Sequence, residues 1–208
     1  MTRKRTAEES SKVRVLLVDS HPILRESFAW FINRETDLDV CARTGDPSKA
    51  MQELGALQPD LVLLEISMEG EDGVTFIKRL HEEFPQVNIL VFSHLDEALY
   101  AERALRAGAK GYIMKQAPIE EVMAAIRKVG VGGRYLSCLM QERMLETFAN
   151  GNRSQSLGMG SLSDRELEVF KRIGAGLSTR EIAEDLRISI KTVETYRAHI
   201  KKKLCLRN

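Results

Sequence analysis

Five times between Val13 and Val129 the sequence passes from a short apolar run into a longer amphipathic stretch, and few folds accept that rhythm. The runs are Val13–Val18, Leu38–Ala42, Leu61–Leu64, Val87–Phe92 and Gly111–Met114. Leu61–Leu64 holds no polar residue, as suits a strand buried on both faces of a parallel sheet. The stretches between the runs carry helix signals. Pro22 and Pro118 suit first turns, Asp46 before Pro47 suits an N-cap, and Gly108 suits a C-terminus. The expected inward faces are Ile23, Phe28, Trp30 and Phe31 in the first helix, and Val74, Ile77, Leu80 and Phe84 in the third, which Pro85 stops. Alternation of this kind, with short connections, predicts an α/β doubly wound domain over residues 13–130, a parallel sheet covered by helices on both faces.

In such a sheet, function collects at the carboxyl ends of the strands, and right-handed crossovers bring those ends to one edge. Four residues are therefore expected to converge: Asp19, Glu65, Ser93 and Lys115. A carboxylate at a strand end, a second acid, a hydroxyl and an ammonium form a set suited to phosphoryl chemistry. Tyr112 lies on the last strand, either beside this set or as an ordinary half-buried aromatic. His21 and His94 flank the same edge and read as surface residues rather than metal ligands.

The C-terminal part has a different texture. Gly130, Gly132 and Gly133 loosen the chain, and a short helix is expected over 137–148, with Met140, Met144, Leu145 and Phe148 along one side. Residues 150–160 are rich in Gly, Ser and Asn and read as the flexible end of a linker, 131–160. Beyond it, Ser163 precedes Glu166, Ser178 precedes Glu181 and Ser189 precedes Thr192, three helix starts of one type, the first two in capping-box spacing. Two short helices joined by a tight turn near Arg187 and Ile188 make a helix-turn-helix. The last helix would bury Val193, Ile200 and Leu204 and present a polar, basic outer face. Charge agrees with that division: 161–208 carries 11 Lys+Arg against 7 Asp+Glu, and the remainder 20 against 23. Only the tail is built to meet a polyanion. The odd, scattered cysteines Cys41, Cys138 and Cys205 argue for a reducing compartment. No apolar run is long enough to span a bilayer, and residues 1–12 lack the apolar segment of a signal peptide. Those residues read as a disordered lead-in, and the chain as cytoplasmic.

Residues 13–130 resemble a response-regulator receiver, and 161–208 resemble the LuxR-type helix-turn-helix. The whole is similar to the NarL/FixJ family of two-component transcription regulators. The residues that carry the likeness are Asp60-Leu61-Val62-Leu63-Leu64, Gly111-Tyr112-Ile113-Met114-Lys115, Leu162-Ser163-Asp164-Arg165-Glu166, Glu181-Ile182-Ala183 and Lys191-Thr192-Val193-Glu194-Thr195. The resemblance implies a flavodoxin/CheY-like fold, five parallel strands in the order 2-1-3-4-5, followed by a small all-α domain. It implies double-stranded DNA as partner, a homodimer, no enzyme activity and no membrane. By position, Lys191, Glu194, Thr195, Arg197 and Ala198 are expected near base edges, and Thr179, Thr192, Tyr196, Lys201 and Lys202 near phosphates. The family's DNA-binding domain normally has a further helix after Leu206-Arg207-Asn208. The expectation is that the sequence continues or that dimerisation uses the receiver.

The sequence departs from the family at the pocket itself. The phosphoacceptor is an Asp in the family and Glu65 here. The acidic pair after the first strand is Asp19 followed by Ser20, and the usual proline after Met68 is Glu69. An added methylene displaces the carboxylate by roughly 1 Å, a misplacement to which in-line transfer is sensitive. It also carries the charge towards Ser93 and Lys115. Loss of the acid at Ser20 removes a metal-holding group, and Glu69, Glu71 and Asp72 read as a solvated turn. Poor phosphoacceptance, weak or absent Mg²⁺ binding and no resident metal or cofactor are expected. Three readings stay open: a phosphorylation-independent DNA-binding regulator, a working phosphate-accepting receiver with an unusual acceptor, and a regulator whose receiver answers to a protein or small-molecule partner.

Overall fold

The computed structural model describes residues 12–68, 72–149 and 161–204. The expectations that concern most of the lead-in, Glu69 and Glu71, residues 150–160 and the chain from Cys205 onward lie outside the described residues. Five strands, β1 (Val13–Val18), β2 (Leu38–Thr44), β3 (Leu61–Leu64), β4 (Asn88–Ser93) and β5 (Gly111–Met114), alternate with α1 (Pro22–Asn33), α2 (Pro47–Leu57), α3 (Gly73–Glu83), α4 (Glu97–Ala107) and α5 (Ile119–Gly130). The strands pair in parallel in the order β2-β1-β3-β4-β5. All four residues of β3 are buried, as its unbroken apolar run demands.

Register fixes where the pocket forms. Leu64 of β3 pairs with Val18 of β1 and with Val91 of β4. Val91 pairs with Tyr112, and Ser93 with Met114. The next residues, Asp19, Glu65 and Lys115, therefore leave the sheet at one edge. One face of the sheet, with Val15, Leu17, Leu61, Leu63, Leu90 and Phe92, packs against Ala29 and Ile32 of α1 and Val122, Ile126 and Val129 of α5. Alternate residues point the other way, where α2 meets β1 and β2, α4 meets β5, and α3 packs on α4.

The first helix corrects the expected inward face. Ile23 is 82% exposed, Trp30 56% and Phe31 41%, while Ala29 and Ile32 are buried and Phe28 leans on Phe92. At 100° per residue, Phe28, Ala29 and Ile32 share the core side, and Ile23, Trp30 and Phe31 fall opposite. Side-chain size misled where angular position decides. In α3 the buried positions are Phe76, Ile77 and Leu80, with Val74 and Phe84 only partly covered.

The end of α5 leads to Tyr135, which bridges to Gly111 at the free edge of β5, and then to α6 (Cys138–Ala149). In α6 Met140 is buried while Met144 and Leu145 are exposed, and the side chain of Phe148 lies outside the described residues. The described residues fall into two units that divide between Gln141 and Glu142. The second unit holds α7 (Asp164–Gly174), α8 (Thr179–Asp185) and α9 (Ile190–Lys203). Ser163, Ser178 and Ser189 cap these helices with their side chains, and Glu166 and Glu181 complete capping boxes on the first two. Leu167, Val169, Ile182, Val193 and Ile200 form the buried interior of the three helices. Arg187, at φ 53°, makes the tight turn between α8 and α9.

Leu63 sits at the centre of this architecture, fully buried on the α1–α5 face. Leu63→Ala is expected to destabilise the receiver by about 3 kcal/mol, read as a lowered urea midpoint with unchanged slope. A shift below about 1 kcal/mol would contradict the close packing described.

Candidate strand-end pocket and nucleic-acid interface

β3 delivers Glu65 as a carboxylate only 1% exposed, and its two oxygens face different partners. Oε1 accepts from the Ser93 hydroxyl at 2.5 Å and from the Ser67 N–H at 2.8 Å. Oε2 lies 3.0 Å from Lys115 Nζ and 3.2 Å from His94 Nδ1. Lys115 also reaches Asp19 Oδ2 at 2.5 Å, so one ammonium bridges the carboxylates that end β1 and β3. Asp19 Oδ1 in turn accepts from the His21 N–H at 2.8 Å and lies 3.2 Å from the His21 ring, and Arg25 donates to the Asp19 carbonyl. Ser20 is half-buried, with its hydroxyl 3.5 Å from His21 Nδ1, and does not join the Glu65–Lys115 network.

Burial alone would raise the pKa of Glu65. Hydrogen bonds from Ser93 and the Ser67 N–H, with the charge of Lys115, outweigh it and hold the carboxyl below the ordinary glutamate range. Two buried acids with one cation are stable only because every oxygen has a partner. Tyr112 is fully buried beside them, and its phenol donates to the Leu95 carbonyl at 2.8 Å. Burial pushes that phenol's pKa up, so it stays a donor. Leu95 closes the loop by donating its N–H to Ser93 Oγ at 3.2 Å.

The histidines stand at the rim of the pocket. Both are about half exposed, yet each ring contacts a buried pocket carboxylate. Their adjacency in sequence to Asp19 and Ser93 was the available signal. Arg25 and the backbone of Ser67 and Leu95 carried no signal, because their contacts depend on the folded loop.

The donor set does not fit a divalent cation. The carboxylates of Asp19 and Glu65 are already bridged by Lys115, and Ser20 stands where a second acid would be needed.

In the second unit, α9 is held from behind. Val193 and Ile200 are buried, and Lys203 pairs with the buried Glu166 of α7 at 2.6 Å. Burial raises the Glu166 pKa, and the hydrogen bonds from Lys203 and Ser163 more than reverse it. At helical spacing Lys191, Glu194, Thr195, Ala198, Lys201 and Lys202 fall within one arc opposite Val193 and Ile200, and all six are exposed. Thr192 is partly covered outside its margin, and Tyr196, also partly covered, falls nearer the buried side, about 40° from Ile200 at helical spacing. Arg197 is partly covered too, with Nη1 3.3 Å from Thr179 Oγ1 on α8, so it lies at the α8 side of the arc rather than at its centre. Such a face, convex, basic and on a rigidly backed helix, has the form of a helix presented to a nucleic-acid groove. No helix among the described residues is long and apolar enough to cross a membrane.

Comparison with known proteins gives both units counterparts. Residues 15–127 match the response regulator receiver domain, and 160–208 match the luxR family of bacterial regulatory proteins. The chain is 33% identical over 201 residues to the oxygen regulatory protein NreC of Staphylococcus haemolyticus, covering 94% of this chain and 93% of that protein. Among solved structures, it is similar to the response regulator ChrA of a heme-sensing two-component system, at 29% identity and a TM-score of 0.55 over 95% of this chain and 92% of the other. It also shares the fold of RcsB from Salmonella enterica serovar Typhimurium bound to the promoter rprA, at 23% identity and a TM-score of 0.67 over 95% and 94% of the two chains.

The electrostatics of Glu65 set a pH dependence. Its folded pKa lies below its unfolded one, about 4.3. The charged pocket therefore stabilises the fold above that value, and the contribution fades as pH falls through the lower folded value. The stability difference between the unaltered chain and Glu65→Gln in urea unfolding is expected to be largest near neutrality and to shrink below about pH 4. A difference that stays constant into the acid range would contradict the assignment.

Proposed function

The chain belongs to the NarL/FixJ family of response regulators, a receiver followed by a luxR-type DNA-binding domain, and from that premise we propose that its receiver works with a standing charge, Glu65, in place of a transient phosphoryl group. The family consists of DNA-binding transcription regulators of two-component systems, and its partner is double-stranded DNA. In the receivers that this chain resembles, a hydroxyl and an aromatic residue report phosphorylation by swinging inward together. Here Ser93 and Lys115 both engage the Glu65 carboxylate while Tyr112 is buried. That single arrangement carries the reading. The longer side chain brings a permanent negative charge to the groups that would otherwise meet a phosphoryl oxygen.

The roles follow from the geometry. Lys115 bridges Glu65 and Asp19 and offsets part of their combined charge. Ser93 donates to the charge, and Tyr112 holds the loop after β4 by its bond to Leu95. The output is sequence-specific DNA binding by a cytoplasmic homodimer. Lys191, Glu194, Thr195, Arg197 and Ala198 face the bases, and Thr179, Thr192, Tyr196, Lys201 and Lys202 face phosphates. Arg197, with two hydrogen-bonding edges, is the residue suited to guanine. Its contact with Thr179 aligns it from α8.

Two experiments test these assignments. Incubation of the full chain with Mg²⁺ and acetyl phosphate is expected to add no phosphoryl mass, by intact-protein mass spectrometry. Stoichiometric, acid-labile phosphorylation of Glu65 would overturn the reading. On DNA, Arg197→Ala is expected to cost about 1–3 kcal/mol on cognate sites and little on random ones. Lys201→Ala is expected to weaken both alike and reduce the salt slope by about 1. Equal losses on cognate and random DNA for both variants would refute the division between base and phosphate contacts.

A further inference from the structure

The segment between α5 and α6 is fastened to the receiver at the elements that surround Glu65. Tyr135 donates its N–H to the Lys110 carbonyl at 3.1 Å, and its own carbonyl accepts from the Tyr112 N–H at 3.1 Å. This pins the segment to β5 by a single parallel bridge at Gly111. Gly111 makes the approach possible, because a Cβ there would stand 2.8 Å from the Tyr135 carbonyl oxygen. Two residues on, the Ser137 hydroxyl donates to Glu97 in the first turn of α4 and accepts from the Met140 N–H at 3.1 Å. Ser137 is therefore both a tether to α4 and the cap of α6. α6 continues across Gln141 and Glu142, where the first unit gives way to the second.

The same two elements carry the pocket's contacts. Ser93 donates to Glu65 and accepts from the Leu95 N–H, and the Leu95 carbonyl accepts from Tyr112. Leu95 lies two residues before Glu97, so the loop that Glu65 orders leads directly into the turn that holds Ser137. Tyr112 belongs to both sets, by its phenol to the loop and by its backbone to Tyr135.

We propose that Tyr135–Ser137 is a coupling strap: the charge at Glu65 sets the loop after β4, and the strap converts that setting into a capped, ordered start of α6, the helix that leads to the DNA-binding unit. This deepens the proposed function and rests on it. Ser137 and Glu97 act as positioning residues, with no contact to DNA required. The opposite setting, with Glu65 uncharged, would release Ser93, let the loop shift and leave the α6 start uncapped.

Hydrogen exchange of the full chain tests this, read at the α6 amides Gln141–Leu145. Ser137→Ala is expected to speed their exchange about fivefold, as loss of a serine cap does. Ser137→Thr, which keeps the hydroxyl, should stay within about twofold of the unaltered chain. Glu65→Gln should speed the same amides by a similar factor, although it lies far along the chain, and Tyr112→Phe provides the same comparison if Glu65→Gln fails to fold. The double variant Glu65→Gln/Ser137→Ala should exchange no faster than the faster single variant, because both break one connection. Multiplicative effects in the double variant would overturn the strap. So would unchanged α6 exchange in Glu65→Gln. If Glu65→Gln altered DNA affinity while α6 exchange stayed the same, the standing-charge function would survive and the strap alone would fall.

Discussion

One ammonium ion organises the receiver. Lys115 lies between Asp19 and Glu65, the carboxylates at the ends of β1 and β3, and both are buried. Removing Lys115 would leave two like charges in a low-dielectric site, and removing either acid would take from the ammonium one of its two carboxylate partners. Broken buried pairs of this kind typically cost about 3–5 kcal/mol. The fold therefore depends on the three residues together, and their spacing follows from strand register. Because Leu64 pairs with Val18 and Val91, the residues that follow on neighbouring strands meet without any long loop to place them.

From that fixed point the remaining contacts read outward. The carboxylate of Glu65 holds Ser93, Ser93 holds the Leu95 backbone, and Tyr112 holds it from the other side. A phosphoryl group would form such contacts and lose them on hydrolysis. On the proposed reading the charge belongs to a glutamate side chain, which cannot be hydrolysed away, and control acts on the balance of states or on the contacts beyond the pocket. In the proposed coupling, Tyr135–Ser137 supplies such contacts within the receiver. The second unit is built for output by separate means. Three serine caps and the Glu166–Lys203 pair stiffen a small helical framework behind the exposed face of α9.

Much of this was legible in the residues. The all-apolar β3 and the turn signals Asp46, Gly108 and Pro85 placed the elements because each acts locally. Ser163, Ser178 and Ser189 announced their helices for the same reason: a cap is decided by residues three apart. The convergence of Asp19, Glu65, Ser93 and Lys115 followed from topology alone. The failures were three-dimensional. In α1 the aromatic bulk of Trp30 and Phe31 suggested a core face, but rotation about the helix axis gave that place to Ala29 and Ile32. His94 is a surface residue as read, but its contact with Glu65 was not foreseen, because only the loop after β4 turns its ring to that carboxylate. The bridge at Tyr135 had no apolar run to mark it, since its pairing uses backbone groups and the bare Cα of Gly111.

The central claim is that a permanent charge at Glu65 keeps the receiver in its output-competent arrangement. It is tested most directly by comparing the full chain with Glu65→Ala, without phosphodonor, on genomic DNA fragments selected by the unaltered protein. DNA affinity by fluorescence anisotropy would be read beside oligomeric state by sedimentation. The account predicts that Glu65→Ala binds selected DNA at least about tenfold more weakly, roughly 1.4 kcal/mol, with a shift towards monomer. Unchanged affinity and unchanged association would show that Glu65 is a structural charge with no part in output.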